Sequence, residues 1–236
     1  MKGTGKYIGI NQRIPFDVLD AGLYRFLRDQ TIDKELLKSH LREFTKGENR
    51  VLKAAQYAVQ VLSRQEKCIL ELKKSFAAEN YLKLPITDRK AIILSLVVLT
   101  YPLTYDLLIA MASGFKVQPQ INRQFINQKM AALYGSNRTL DIAIDALVPM
   151  IIELGTIERV KKSLYAMAPN NVITHPIITE MIIFADIKLS GSKSILVEDL
   201  QYRPWYMFFQ IDHGKKQNFS LFKYTESRIG QGYLTI

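Results

Sequence analysis

Apolar positions recur at three- and four-residue steps along most of this chain, and the places where the period changes divide it into elements. In residues 119–133, Ile121, Phe125, Ile126, Met130 and Leu133 follow the period of a half-buried helix. Tyr134-Gly135-Ser136 interrupts it, since Gly supplies the positive φ of a tight helix exit and Ser136 or Asn137 can cap the next helix. Over 138–154 the stripe Leu140, Ile144, Leu147, Val148 and Ile151 predicts that second helix, with Arg138, Thr139, Asp141 and Asp145 near the opposite side of its first turns. After Gly155 the pattern predicts a strand over 156–165, a turn over 168–171 and a returning strand over 172–174. Helix, turn, helix and ribbon in this order predict a winged helix-turn-helix across 119–175.

Helical periods also fill the N-terminal part. Pro15 suits a first helical turn and precedes Val18, Leu19, Gly22, Leu23, Phe26 and Leu27; Asp33 caps a second helix bearing Leu36, Leu37, His40, Leu41 and Phe44. A long helix over 48–76 carries the seam Val51, Ala55, Ala58, Leu62, Gln65, Ile69, Leu72 and Phe76, in steps of four and three. The stripe beside that seam is Arg50, Lys53, Tyr57, Gln60, Arg64, Lys67, Glu71 and Lys74. As one helix it would form a basic ridge about 35 Å long, close to one turn of DNA, although a charged stripe is also what a solvated face looks like.

Thr87 and Thr104 are positioned to cap two apolar helices ahead of the winged unit, and Ile177, Ile178, Met181, Ile182 and Ala185 mark another behind it. Residues 205–211 and 218–224 then read as a β-hairpin around a basic loop at 212–217, and Tyr7-Ile8-Gly9-Ile10 as a short arm or edge strand. The fold class is therefore mainly α, a helical bundle with a central winged helix-turn-helix and a C-terminal β-hairpin. It divides into three segments: a basic helical region at 1–85, the winged-helix region at 86–190 and the hairpin extension at 191–236.

Charge favours an anionic partner: the formal net charge is +10, with pI near 9.5. Basic and acidic side chains number 16 against 10 in residues 1–85, 6 against 5 in 86–155 and 10 against 7 in 156–236, so the excess is concentrated outside the predicted recognition helix. Cys68 is the only cysteine, which excludes an intrachain disulfide and a thiolate zinc cluster and fits a reducing cytoplasm. No secretory signal is visible, and the apolar stretch at 91–112 is interrupted by Pro102 and Asp106 short of the roughly 20 residues a membrane span needs.

Clustered catalytic chemistry is not apparent. His40, His175 and His213 are far apart, and neither Gly3-Thr4-Gly5-Lys6 nor Ser190-Gly191-Ser192-Lys193-Ser194 has the spacing of a phosphate loop. Asp141 and Asp145 lie one turn apart and could hold a divalent ion, or form a solvated acidic face. They also oppose phosphate at the start of a recognition helix, though a carboxylate can accept a hydrogen bond from cytosine. No enzyme activity, cofactor or metal is expected.

The helical N-terminal half, the turn Lys46-Gly47-Glu48-Asn49-Arg50 leading into a basic helix, the apolar helical centre and Ser136-Asn137-Arg138-Thr139 opening a helix before a ribbon give a layout over residues 16–190. This layout resembles the BrxA family of accessory proteins from BREX phage-defence loci. The resemblance implies a non-enzymatic bacterial protein that binds double-stranded DNA with little sequence preference and works beside other defence proteins. The extension after Trp205 has no place in it. The expected DNA contacts are Arg50, Lys53, Arg64 and Lys67 from the long helix, Asn137, Arg138 and Thr139 from the recognition helix, and Arg159, Lys161 and Lys162 from the wing. The alternative is a protein-interaction scaffold that docks a partner through the long helix or the aromatic hairpin.

Overall fold

The computed structural model describes residues 6–169, 171–211, 219–227 and 230–236, and it is mainly helical. Helix α1 (Phe16–Asp29) begins after Pro15 and buries Val18, Leu19, Leu23 and Leu27; α2 (Lys34–Phe44) is capped by Asp33, whose Oδ1 accepts from Leu36 N at 3.0 Å. Helix α3 (Glu48–Ser63) packs against both α2 and α1. Gly22 lets α1 approach closely, since a Cβ there would come within 2.9 Å of Leu62 and 3.0 Å of Leu37.

The expected 48–76 helix is two helices. Gln65 leaves helical geometry at φ −105°, ψ 51° and separates α3 from α4 (Glu66–Ser75). The break accompanies burial of Ile69 and Leu72, turns the Gln65 amide inward to the Thr100 hydroxyl at 3.4 Å, and lays α4 on the later helix α10 (Pro176–Leu189). The seam residues Val51, Ala55, Ala58 and Leu62 are buried in the chain's own core.

After the single turn α5 (Ala78–Tyr81), helices α6 (Ile86–Thr100) and α7 (Pro102–Phe115) meet at 112° around Tyr101. Their caps are Pro85 and Tyr101, and Thr104 is fully buried within α7. No single helix among the described residues is long and apolar enough to cross a membrane, though the bent pair passes on length and composition. In this fold the pair is the hub: α6 touches α1, α3 and α10, and α7 touches α8 (Arg123–Tyr134).

The expected helix at 119–133 also starts later. Ile121 is fully buried and sits opposite Tyr165 in strand β1 (Gln120–Asn122), after which Asn122 caps α8 by accepting from Phe125 N at 2.8 Å. Gly114 of α7 makes this junction possible, because a Cβ there would meet both Ile121 and Phe125 at 2.7 Å. Helix α9 (Arg138–Glu153) comes next, with Leu140, Ile144, Leu147, Val148 and Ile151 buried along one stripe.

The ribbon turns earlier than its sequence pattern predicts. Strands β2 (Ile157–Lys161) and β3 (Leu164–Met167) are joined at Lys162-Ser163, where Ser163 takes φ +61°, and the register shifts between Arg159 and Lys161. A short reversal with one residue in the left-handed region suffices, so the turn expected over 168–171 is not needed for it; Asn170 lies outside the described residues. The sheet order is β1-β3-β2, all antiparallel.

The segment expected to return as the wing's second strand forms β4 (Asn171–Val172), which pairs in parallel with β6 (Phe209–Gln210). The expected hairpin is likewise reassigned. Trp205 lies in a 3-10 turn over Pro204–Phe208, β6 joins β4, and β7 (Lys223–Thr225) pairs with β8 (Tyr233–Thr235), which also pairs with β5 (Ser194–Leu196). Burial explains the change: Trp205 is 0% exposed with its indole N–H donating to Ile182 O at 3.0 Å, so this aromatic run packs on α7 and α10. The basic loop at 212–217, with His213, lies outside the described residues. One contiguous set of buried side chains, from Ile10 to Leu234, draws on all three predicted segments.

Candidate nucleic-acid interface

Asn137 opens α9 as its cap, with Oδ1 accepting from Leu140 N at 2.9 Å, and leaves Arg138 and Thr139 exposed on the first turn. Gly135 at φ +77° makes the tight exit from α8 that the sequence calls for. Asp141 and Ile142 are exposed beside them. Asp145 is exposed too, but its carboxylate is held by Arg123 at 2.7 Å from the start of α8. That ion pair lowers the repulsion between α9 and a phosphate, and it engages one of the two aspartates read as a metal candidate. Among the described residues no group of three His, Cys, Asp or Glu could hold a metal ion.

Arg159, Lys161 and Lys162 are exposed on the β2–β3 hairpin, and Lys162 lies in its turn. The neighbouring Ser163 carbonyl accepts from Arg123 N at 2.9 Å, which ties the tip to the first residue of α8. Hairpin, α8 and α9 therefore share Arg123 as a hinge point: its backbone holds the tip and its guanidinium holds Asp145.

The N-terminal arm runs along α9. At one end Lys6 Nζ meets Asp106 Oδ2 at 2.9 Å, where the Tyr134 hydroxyl also donates at 2.7 Å; at the other, Ile14 N reaches Met150 Sδ at 3.4 Å and Arg13 pairs with Glu153. Between these ends the arm is kinked, with Gly9 at φ +76° and Ile10 N donating to Ile8 O at 3.0 Å. The arm forms no strand, in keeping with the first of the two readings for Tyr7-Ile8-Gly9-Ile10.

Between arm, α3 and the start of α9 lies a cleft of about 590 Å³, lined by Lys6 to Asn11, Tyr57, Asn137 and Thr139. Tyr57 belongs to the basic stripe of α3, and its hydroxyl donates to Asn11 Oδ1 at 2.9 Å. Burial raises the Tyr57 hydroxyl above its ordinary value of 10.0, so it remains a donor at neutral pH. Lys53 and Arg64 lie four residues before and seven after Tyr57, hence on the same side of α3, and both are exposed, as is Arg50. The cleft thus joins the α3 stripe to Asn137 and Thr139.

Lys67 does not join them. It stands past the break, where its ammonium donates to Leu221 O at 2.8 Å and lies 5.4 Å from the Phe184 ring centroid. The arm residues Lys6, Tyr7 and Asn11 lie outside the sequence-predicted set. Their signal in the sequence is faint: a glycine beside an aromatic, Gly9 and Tyr7, in an otherwise ordinary terminus. Cys68 offers no nucleophile, since burial pushes its thiol up to about 12. Compared with known proteins, the chain matches no family model, no curated protein and no solved structure.

Proposed function

We propose that the protein binds double-stranded DNA, without catalysing a reaction, through a winged helix-turn-helix made of α7, β1, α8, α9, β2 and β3. The reading is supported by the element order helix, strand, helix, helix, strand, strand, and by the sheet order β1-β3-β2. The observation that carries it is the shared cleft: Tyr57 lies beside Asn137 and Thr139, so the stripe of α3 that also carries the exposed Arg50, Lys53 and Arg64 comes up to the first turn of α9 at Tyr57. In this reading α9 enters a groove, Arg138 and Thr139 meet base edges or phosphates, and Arg159, Lys161 and Lys162 follow the backbone from the wing. The resemblance to the BrxA family extends the proposal to an accessory role in bacterial phage defence alongside other defence proteins.

Binding to an arbitrary duplex, followed by fluorescence anisotropy at two salt concentrations, tests the proposal. Tight binding that weakens steeply with salt is expected from counterion release. Lys161→Glu with Lys162→Glu should weaken binding to all sequences and reduce the salt slope by about 2, near 0.9 per lost phosphate contact. No binding at low salt would overturn the reading.

Leu133 on α8, Ile142 on α9 and Val160 on β2 are each 42–47% exposed, and a second reading has a partner protein cover these apolar side chains. Loss of DNA binding on Ile142→Glu but not on the lysine reversals would not fit the wing. Capture of a partner lost in the same Ile142 variant would favour docking.

A further inference from the structure

Tyr7 is 81% exposed, yet its ring has a defined seat. Gly9, at φ +76°, leaves room for it: a Cβ at Gly9 would stand 2.9 Å from Tyr7 Cε1 and 3.3 Å from Tyr101 Cδ1. The Tyr7 ring therefore folds back over Gly9 towards Tyr101, which makes an edge contact with Tyr57 at a centroid distance of 5.7 Å. One edge of the Tyr7 ring is thus supported while most of its surface, a flat apolar face, is open at the mouth of the cleft.

The rest of the lining is mixed: Ile8 and Ile10 add apolar surface, and the polar groups beside them have hydrogen-bonding capacity to spare. Thr139 contributes an exposed hydroxyl, Asn11 still has its amide N–H groups after accepting from Tyr57, and the arm backbone lies outside any strand. Lys6 brings a positive charge, partly offset by Asp106, and the exposed Lys53 and Arg64 extend positive charge along α3. A flat ring face, several uncommitted donors and acceptors, and surrounding cations in a space of about 590 Å³ are the complement of a nucleotide: an aromatic base with polar edges on an anionic linkage.

We propose that this cleft takes one unpaired nucleotide of a DNA strand, its base stacked on Tyr7 and its polar groups met by Asn11, Thr139 and the arm backbone. A base inside a duplex has no free face to offer, so the ligand is a nucleotide at an overhang or a gap. The inference rests on the DNA-binding reading and adds a preference to it: duplex contacts hold the DNA, and the cleft selects duplexes that end in or contain a single-stranded nucleotide.

The test compares a blunt duplex with the same duplex carrying a short single-stranded overhang, by anisotropy, on the full chain and on Tyr7→Ala and Tyr7→Phe. Stacking of one base predicts about 5- to 150-fold tighter binding of the overhang duplex, from the usual 1–3 kcal/mol per base. Tyr7→Ala should bring the overhang duplex to the affinity of the blunt one, and Tyr7→Phe should keep the preference. Since Tyr7 is largely exposed, an unchanged melting curve verifies that both variants fold. Equal affinity of the original chain for both duplexes, or a preference that survives Tyr7→Ala, would overturn the inference and leave the DNA reading standing. If neither duplex binds at low salt the DNA reading fails; deoxyadenosine monophosphate is then the probe, its binding with loss in Tyr7→Ala upholding a nucleotide cleft and its failure to bind removing it.

Discussion

Arg203 lies against the buried Asp186 and Arg89 against the half-buried Asp20, whereas Arg138, Arg159, Lys161 and Lys162 stand in solvent with no ion pair among the described residues. Asp186, 1% exposed, receives the Arg203 guanidinium and the Tyr105 hydroxyl, the latter at 2.6 Å; Asp20 receives the Tyr81 hydroxyl at 2.6 Å and Arg89. Both clusters lie where helices meet, one between α7, α10 and the Trp205 turn, the other between α1, α5 and α6. A cation locked in this way stabilises packing, and its charge is offset by the carboxylate that holds it. The exposed set contributes little to packing and keeps its charge available. Each locked arginine is cancelled in the net charge by its own carboxylate, so the excess of +10 is carried by the other side chains, and it is the count of basic residues that overstates how many a partner meets.

That division makes opposite predictions for the two groups. Asp186→Ala should destabilise the fold by about 3 kcal/mol, the low end of the usual 3–5 for breaking a buried pair, because Arg203 retains some solvent contact. Urea unfolding measures it, and a loss below about 1 kcal/mol would show that the cluster is not a structural clamp. By contrast, Lys161→Glu and Lys162→Glu should each change stability by no more than about 0.5 kcal/mol while altering DNA affinity. Stability loss in the lysine variants comparable to that of Asp186→Ala would erase the distinction.

A smaller effect tests the frame that presents the exposed set. Gly114→Ala should cost about 1–3 kcal/mol by overpacking against Ile121 and Phe125, outweighing the roughly 1 kcal/mol that alanine gains in helix propensity. A stabilised variant would mean that β1 and α8 shift freely on α7. Asn137→Ala, which removes the cap of α9, should cost about 1 kcal/mol in thermal or urea melts.

How much of this fold is legible in the sequence depends on how local each signal is. The stripe of α9, the Gly135 exit and the Asp33 and Asn137 caps depend on a few neighbouring residues, and each is found where the pattern puts it. Gln65 fits a heptad seam as well as any polar residue there, and only the distant Thr100 hydroxyl gives it a reason to turn inward. Ile121 reads equally well as helix or strand until Tyr165 is known to lie opposite. Trp205 to Phe209 carry no sign of whether they will meet a strand or a helix bundle, and burial against α7 and α10 decides it. The cleft is hidden for the same reason. Tyr7, Tyr57 and Thr139 come from three parts of the chain, and no spacing within any one of them brings them together.

The least of the predicted effects concerns Glu180, which holds the C-terminal segment to the helices. Its Oε2 accepts from Ser220 N at 2.7 Å and Leu221 N at 3.1 Å, while Lys67 of α4 binds the Leu221 carbonyl. Burial raises the Glu180 carboxyl above its ordinary value of 4.5; the two backbone donors pull it down and the charge of Glu71 adds a little to the rise. A carboxyl raised by folding binds protons more tightly in the native chain than in the unfolded one. Its stabilising contribution is fully present below the unfolded value and declines as pH rises through the folded value, with no further change above it. Asp20, also raised chiefly by burial, adds a slope of the same sign. Urea midpoints measured from about pH 4 to about pH 7 should therefore slope less steeply downward, or more steeply upward, in Glu180→Gln than in the original chain, by the part that Glu180 supplies. Glutamine keeps a carbonyl acceptor for the segment, so the variant changes the slope more than the fold. If the variant instead makes the pH dependence more negative, Glu180 is held ionised by its two N–H donors, and the segment is fastened by a charge of the kind that locks Arg203.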